Sequence, residues 1–256
     1  MVDRVDLNAD VGESYGAFRI GCDEELLGQV TSANIACGWH AGDPLVMERT
    51  VQLAFEGAVG IGAHPGFPDL LGFGRRNLQI SEPEAKAYVL YQIGALDAFV
   101  RKTGETMQHV KLHGAMYNVV SKDPNLASAV IAAIQEFDPD LILVGLSGSP
   151  LIKLAEERGL RVAHEAFADR AYAPDGSLVP RTSAGAMITD PAAAGDRALR
   201  MITEGIVQAS DGQDVRIHAD TICIHGDNPH AVSFARSVRS KLESAGIKIQ
   251  PLRDFI

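Results

Sequence analysis

The sequence predicts an α/β fold in which parallel strands, each followed by a helix, close into a barrel. Three observations predict it. Short apolar runs alternate with longer segments of helical period, the signature of repeated βα units and a parallel sheet. No linker, internal repeat or low-complexity tract interrupts that alternation, and 256 residues suit one α/β barrel, so residues 1–256 read as a single domain. Polar motifs recur at nearly every strand end, whereas an open doubly wound sheet would gather them at one switch point.

The first strand, Val5–Ala9, sets the theme. Val5, Leu7 and Ala9 alternate with Asp6, Asn8 and Asp10, which puts three polar side chains on one face. Burying two carboxylates together is costly unless something pairs with them. The segment therefore reads as the first wall of an active site, turning at Gly12 before Glu13. The remaining strands are Val30–Ala36, Val59–Ala63, His109–Leu112, Leu141–Gly145, Val162–Ala166 and Thr221–His225. Asp43 caps a helix over Pro44–Glu56, with proline in the first turn and Gly57 as stop. Ser81–Lys102 opens on Ser-Glu-Pro-Glu, a capping-box pattern, and ends at Gly104. Pro124–Glu136, Pro150–Arg158, Pro191–Gln208 and Pro229–Ser244 repeat the design, with Gly159 and Gly246 as stops. The segment Phe67–Arg76 reads as a lid or rim loop. Ile247–Leu252 has the composition of a short extra strand without an assigned place.

Composition excludes several classes. Lys plus Arg number 23 against 33 Asp plus Glu, and no basic run occurs, which argues against nucleic acid or an acidic membrane as partner. Three cysteines, Cys22, Cys37 and Cys223, without Cys-x-x-Cys spacing, make a disulfide framework or structural zinc site a poor expectation. No basic-then-apolar leader is present at the start, and no apolar run approaches the roughly 20 residues of a membrane helix. A reducing cytoplasm is the expected location.

In a parallel barrel, reactive groups sit at the carboxyl ends of strands. Those ends supply Asp6, Asn8, Asp10 and Glu13; Asn34, Cys37, His40 and Asp43; His64, Asp69, Arg75 and Arg76; Lys111, His113, Tyr117 and Asn118; Glu165, Asp169, Arg170 and Tyr172, with Arg181 beyond; and His225, Asp227 and His230. Lys111 and His113 share a strand face, and a lysine pointing into a barrel needs an anion from a carboxylate such as Asp10 or from substrate. Cys22, Cys223 and Trp39 read as packing; Cys37 reads as core packing in preference to a nucleophile beside His40; and His109, His164 and His218 receive no role. No Gly-x-x-x-x-Gly-Lys-Ser/Thr loop, Gly-x-Gly-x-x-Gly turn or His-Glu-x-x-His helix occurs. A site of scattered Asp and His, with Asp10, His40 and His64 as ligands, would suit a divalent metal.

Six stretches together resemble the LamB/YcsF family, whose members are described as one component of ATP-hydrolysing 5-oxoprolinase. They are Asp6–Glu13, Ser32–Asp43, Gly62–Arg75, Val110–Asn118, Glu165–Tyr172 and Ile224–Pro229, and they span nearly the whole chain in order. The resemblance implies a (β/α)7 barrel of the polysaccharide-deacetylase type. It also implies one component of an enzyme that opens 5-oxoproline to glutamate at the expense of ATP, alongside two further subunits. ATP would then be handled through the complex, which fits the missing nucleotide motif.

On this reading Asp10, with Asp6, is general base, and Lys111, with His64 or His113, faces the growing negative charge. One of Arg75, Arg170 or Arg181 pairs with the substrate carboxylate. Asn8, Asn34, His40, Asp169 and His225 complete the binding set. The alternatives are a metal-dependent amidohydrolase or carbohydrate deacetylase, and a non-catalytic binding component of a larger complex. Whether a homo-oligomer forms is left open.

Overall fold

The computed structural model describes residues 3–181, 183–228 and 230–256. Strands β1 (Arg4–Val11), β2 (Ser32–Ala36), β3 (Gly60–His64), β4 (His109–Lys111), β5 (Ile142–Leu146) and β6 (Val162–Phe167) follow one another in a parallel sheet. Strands β7 (Ile206–Gln208) and β8 (Asp214–Arg216) form a separate antiparallel hairpin. Strand β9 (Thr221–His225) then slots between β6 and β1 and closes the ring, Thr221 standing opposite both Glu165 and Asp6. The closed ring thus has the expected strands, all parallel. The C-terminal segment without an assigned place supplies β10 (Lys248–Ile249), which pairs with Arg4 and Val5 below the point where β9 takes over.

The helices are α1 (Asp23–Leu27), α2 (Pro44–Glu56), α3 (Glu82–Thr103), α4 (Gly114–Val120), α5 (Pro124–Phe137), α6 (Pro150–Glu157), α7 (Pro191–Thr203) and α8 (Ala231–Ser244). Asp43 caps α2 by accepting from the Leu45 and Val46 amides, and Ser81 with Glu84 forms the capping box of α3. Two expectations need correction. The helix expected to reach Gln208 stops at Thr203, because Gly205 turns the chain at φ +66 and Ile206–Gln208 leaves as β7. The helix expected from Pro229 begins at Ala231; Pro229 itself lies outside the described residues. Helices α1 and α4 are short and escape the periodicity argument.

The apolar core fills the shell between strands and helices, where Val5, Leu7 and Ala9 of β1 meet it fully buried. The inside of the ring is different. Asp6, Asn8, Ser32, Asn34, His109, Lys111, Glu165 and Thr221 are all buried, where barrels usually stack branched aliphatics. Only the β5–β6 side is apolar, with Ile142, Val144 and Ala163 packed on Leu252 from the C-terminal turn.

Candidate functional site

The polar interior is layered along β1. At the bottom, both oxygens of Asp6 are committed: Oδ1 accepts from Thr31 at 2.8 Å and Ser32 at 2.6 Å, and Oδ2 from Thr221 at 2.5 Å. Burial pushes its carboxyl up to about 6 against those three bonds. Asp6 lies four residues below Asp10, about 13 Å along the strand, and is a brace between β1, β2 and β9. The structure does not bring it to the mouth, so its expected part as a base is withdrawn.

Asn8 and Asn34 form the next layer. Asn34 Nδ2 donates to Asn8 Oδ1 at 2.7 Å and to Asp10 Oδ1 at 2.9 Å, its Oδ1 meets His109 Nε2 at 2.7 Å, and Asn8 Nδ2 donates to Thr221 at 2.7 Å. Both amides are spent inside the protein and position Asp10; neither is open to substrate. His109, to which the sequence assigns no role, is the hinge of this layer, held neutral by burial with its pKa lowered to about 3.

Lys111 occupies the layer above. Its Nζ donates to Asp10 Oδ1 at 2.9 Å, Asn8 Oδ1 at 3.1 Å and Cys223 Sγ at 3.0 Å, and lies 2.7 Å from Glu165 Oε1. Glu165 also accepts from Tyr117 at 2.8 Å. Burial alone would lower Lys111, but Asp10, Cys223 and Glu165 hold it well above its usual value. The anion that Lys111 needs is therefore internal, and its ammonium has no donor left for an oxyanion. Burial likewise disfavours the charge on Asp10, yet His64 and Lys111 hold its carboxyl well below the usual range.

At the mouth, Glu13, His40, His64 and His113 converge from the heads of the first four strands, each 3% exposed or less. His40 Nε2 is 3.2 Å from Glu13 Oε1, and its ring lies flat on that of His113 at 3.6 Å. His64 Nε2 is 3.0 Å from His113 Nδ1 and 3.5 Å from Asp10 Oδ2. Of the expected metal set, His40 and His64 fall in this group, whereas Asp10 falls with Cys223 and His225. Burial, and then Asp10, pushes the Glu13 carboxyl well above the usual range; burial and neighbouring histidines hold His40 and His113 well below theirs. Cys37 bonds to the Ile35 carbonyl, and burial raises its thiol to about 12, as packing requires.

Across the mouth, His225 Nδ1 meets Asp169 Oδ2 at 2.8 Å, and Phe167 stacks on the imidazole at 5.5 Å. Burial works against the Asp169 charge, but His225 holds the carboxyl below its usual value. A cavity of about 300 Å³ opens there, lined by His225, Arg181, Asp227 and His230 among others. Hollows of about 580 and 610 Å³ beside α1 and α2 hold no comparable convergence of buried ionisable groups. The three candidate arginines separate. Arg75 is bound to Asp227 at 2.6 Å and lies over Phe73, Arg170 is buried and donates to the Val179 carbonyl at 2.7 Å, and Arg181 lines the cavity without an ion pair among the described residues. The rim segment Phe67–Arg76 is pinned rather than loose: Ala115 N donates to the Gly74 carbonyl at 2.9 Å, and Arg76 pairs with the buried Asp69. Glu13, Glu165 and Asp227 sit at strand ends in the sequence, but nothing local reveals their partners. Cys223, expected as packing, is also an acceptor for Lys111.

Comparison with known proteins accords with this architecture. A model of the LamB/YcsF family matches residues 5–256. A 5-oxoprolinase component from Pyrococcus abyssi is 56% identical over 253 residues, 99% of each chain. The crystal structure of a lactam utilization protein from Thermus thermophilus superposes with a TM-score of 0.93 at 51% identity, covering 97% of this chain and 100% of that one. A family 4 carbohydrate esterase from Streptomyces lividans shares the fold alone, at 10% identity and a TM-score of 0.50 over 96% of this chain and 91% of its own.

Proposed function

We propose, from the premise that this chain belongs to the LamB/YcsF family, that it is the lactam-opening component of an ATP-dependent 5-oxoprolinase. It would hydrolyse 5-oxo-L-proline to L-glutamate together with two further subunits. The names of its relatives support the substrate class. One observation carries the reading of this chain's own part: the Asp169–His225 pair opens on a cavity that also holds Arg181.

A five-membered lactam has a resonance-stabilised amide and a poor amine leaving group. Phosphorylation of its carbonyl oxygen by ATP creates an imidate-like carbon; water then attacks, phosphate leaves and the ring opens. The absence of a nucleotide loop from the sequence supports assigning ATP to the complex. In this chain, Asp169 accepts from His225 Nδ1, which leaves Nε2 as the proton acceptor for the attacking water. Asp10, held ionised, is a weaker base than the sequence suggests and instead stabilises the imidazolium that forms on His225. Lys111 keeps Asp10 and Glu165 in place. Arg181 pairs with the substrate carboxylate through two parallel hydrogen bonds.

The test is 5-oxoproline cleavage with ATP, with and without the two partner proteins, for wild type and His225→Ala. Turnover that needs ATP and partners and collapses in the variant fits the proposal. ATP-independent amide cleavage by the chain alone would favour the metal-dependent amidohydrolase instead. Calorimetric lactam binding with no turnover in the assembly would favour a purely binding role.

A further inference from the structure

The histidine group at the heads of β1 to β4 has no part in that mechanism, and its hydrogen bonds fix where its lone pairs point. His64 donates Nδ1–H to the Lys111 carbonyl at 2.8 Å, and His113 donates Nε2–H to the Phe73 carbonyl at 2.8 Å. A carbonyl can only accept, so in neutral imidazoles the lone pairs lie on His64 Nε2 and His113 Nδ1. Those two nitrogens face each other at 3.0 Å. Glu13 Oε1 adds a further acceptor 3.4 Å from His113 Nδ1, and Asp10 Oδ2 another 3.5 Å from His64 Nε2. Four acceptor atoms in a buried space repel one another unless a cation sits among them. One extra proton would bridge only the two nitrogens and leave Asp10 Oδ2 without a donor, Glu13 Oε1 having His40 Nε2 alone at 3.2 Å.

The separations fit a metal ion better. Donors at 2.0–2.2 Å from a tetrahedral ion are about 3.3–3.6 Å apart; here His113 Nδ1 stands 3.0 Å from His64 Nε2 and 3.4 Å from Glu13 Oε1, and ligand atoms of all three residues lie within 4.8 Å of one another. Metal-binding histidines characteristically give their other N–H to a backbone carbonyl, as His64 and His113 both do. His40 Nε2 reaches Glu13 Oε1 at 3.2 Å and so orients that carboxylate. Gly66 and Gly74 leave room for the stacked rings: a Cβ at either would stand 2.8 Å from His40.

We propose that Glu13 Oε1, His64 Nε2 and His113 Nδ1 hold a borderline divalent ion such as Zn²⁺ or Co²⁺. His40 acts as the positioning residue for Glu13, and the fourth coordination place borders Asp10. This ligand set differs from the Asp10, His40 and His64 set that the sequence suggests, and it stands independently of the lactam reading.

The chain is stripped with dipicolinate, reloaded with ZnSO₄, desalted and measured by elemental mass spectrometry. One equivalent is expected, with a visible absorption band when CoCl₂ replaces zinc. Zinc titration should show affinity falling more than about 100-fold in His113→Ala and Glu13→Gln, and about 10–100-fold in His40→Ala. His164→Ala, which alters the separate His164, His218 and Asp220 cluster, should leave the equivalent unchanged. No retained zinc and no cobalt band in wild type would overturn the proposal and assign the cluster to a shared proton. So would an equivalent that survives both Glu13→Gln and His113→Ala. The wild-type cobalt band decides the matter even if a variant fails to fold.

Discussion

Replacing Lys111 by methionine keeps the unbranched stem as far as Cε and removes the ammonium with its charge. Lys111 is 2% exposed, Glu165 0% and Asp10 7%. At an effective dielectric of about 20, each contact at 2.7–2.9 Å is worth about 6 kcal/mol before desolvation. Desolvation cancels much of that, so the pair of ion pairs adds little net stability. The variant, however, strands two buried carboxylates, which costs about 3–5 kcal/mol. For a chain of this size that is a fall in melting temperature of about 6–20 °C. Urea unfolding followed through the single Trp39, which packs on Tyr88 and Tyr91, measures it. Glu165→Gln in the Lys111→Met background removes one stranded charge and should recover about 1–3 kcal/mol as a coupling energy. A loss under about 1 kcal/mol for Lys111→Met, or no recovery in the double variant, would refute the view that Lys111 exists to neutralise its neighbours.

Other outcomes follow from the same geometry. Asp6 is shifted from 3.8 up to about 6, so the folded chain keeps a proton that the unfolded chain has lost. Its contribution is complete below pH 3.8 and is lost as pH rises through 6. The stability difference between wild type and Asp6→Asn should therefore drift by about 3 kcal/mol between about pH 4 and 7, and a pH-independent difference in chemical unfolding would exclude Asp6 as the titrating group. Gly62→Ala would drive a methyl into the ring of His109, with an expected loss of about 1–3 kcal/mol that calorimetry can read. Asp169→Asn should lower kcat of the assembled enzyme about 100-fold or more with KM little changed, whereas Arg181→Ala should act mainly on KM; the reverse split would exchange their roles.

Much of this architecture is legible in the chain. The period-2 alternation of Asp6, Asn8 and Asp10 puts three polar side chains on one face of the first strand and marks it as a wall of the site, and the polar motifs at successive strand ends point to a barrel. The helix caps at Asp43 and Ser81 announce their elements for local reasons. What stays hidden is pairing between distant strands. Glu165 becomes a partner of Lys111 only because β5 seats β6 two strands from β4 in the same sheet, and Asp227 claims Arg75 across 152 positions of sequence. Asp6 and Asp10 look alike along the strand, yet one meets three hydroxyls and the other a lysine. Register along the barrel axis separates them, and periodicity carries no such depth.

The closing contacts of β1 come late. Its partners β9 and β10 begin at Thr221 and Lys248, so during synthesis most of the protein has emerged before the first strand acquires its second neighbour. Such long-range closure slows folding and leaves an open edge waiting.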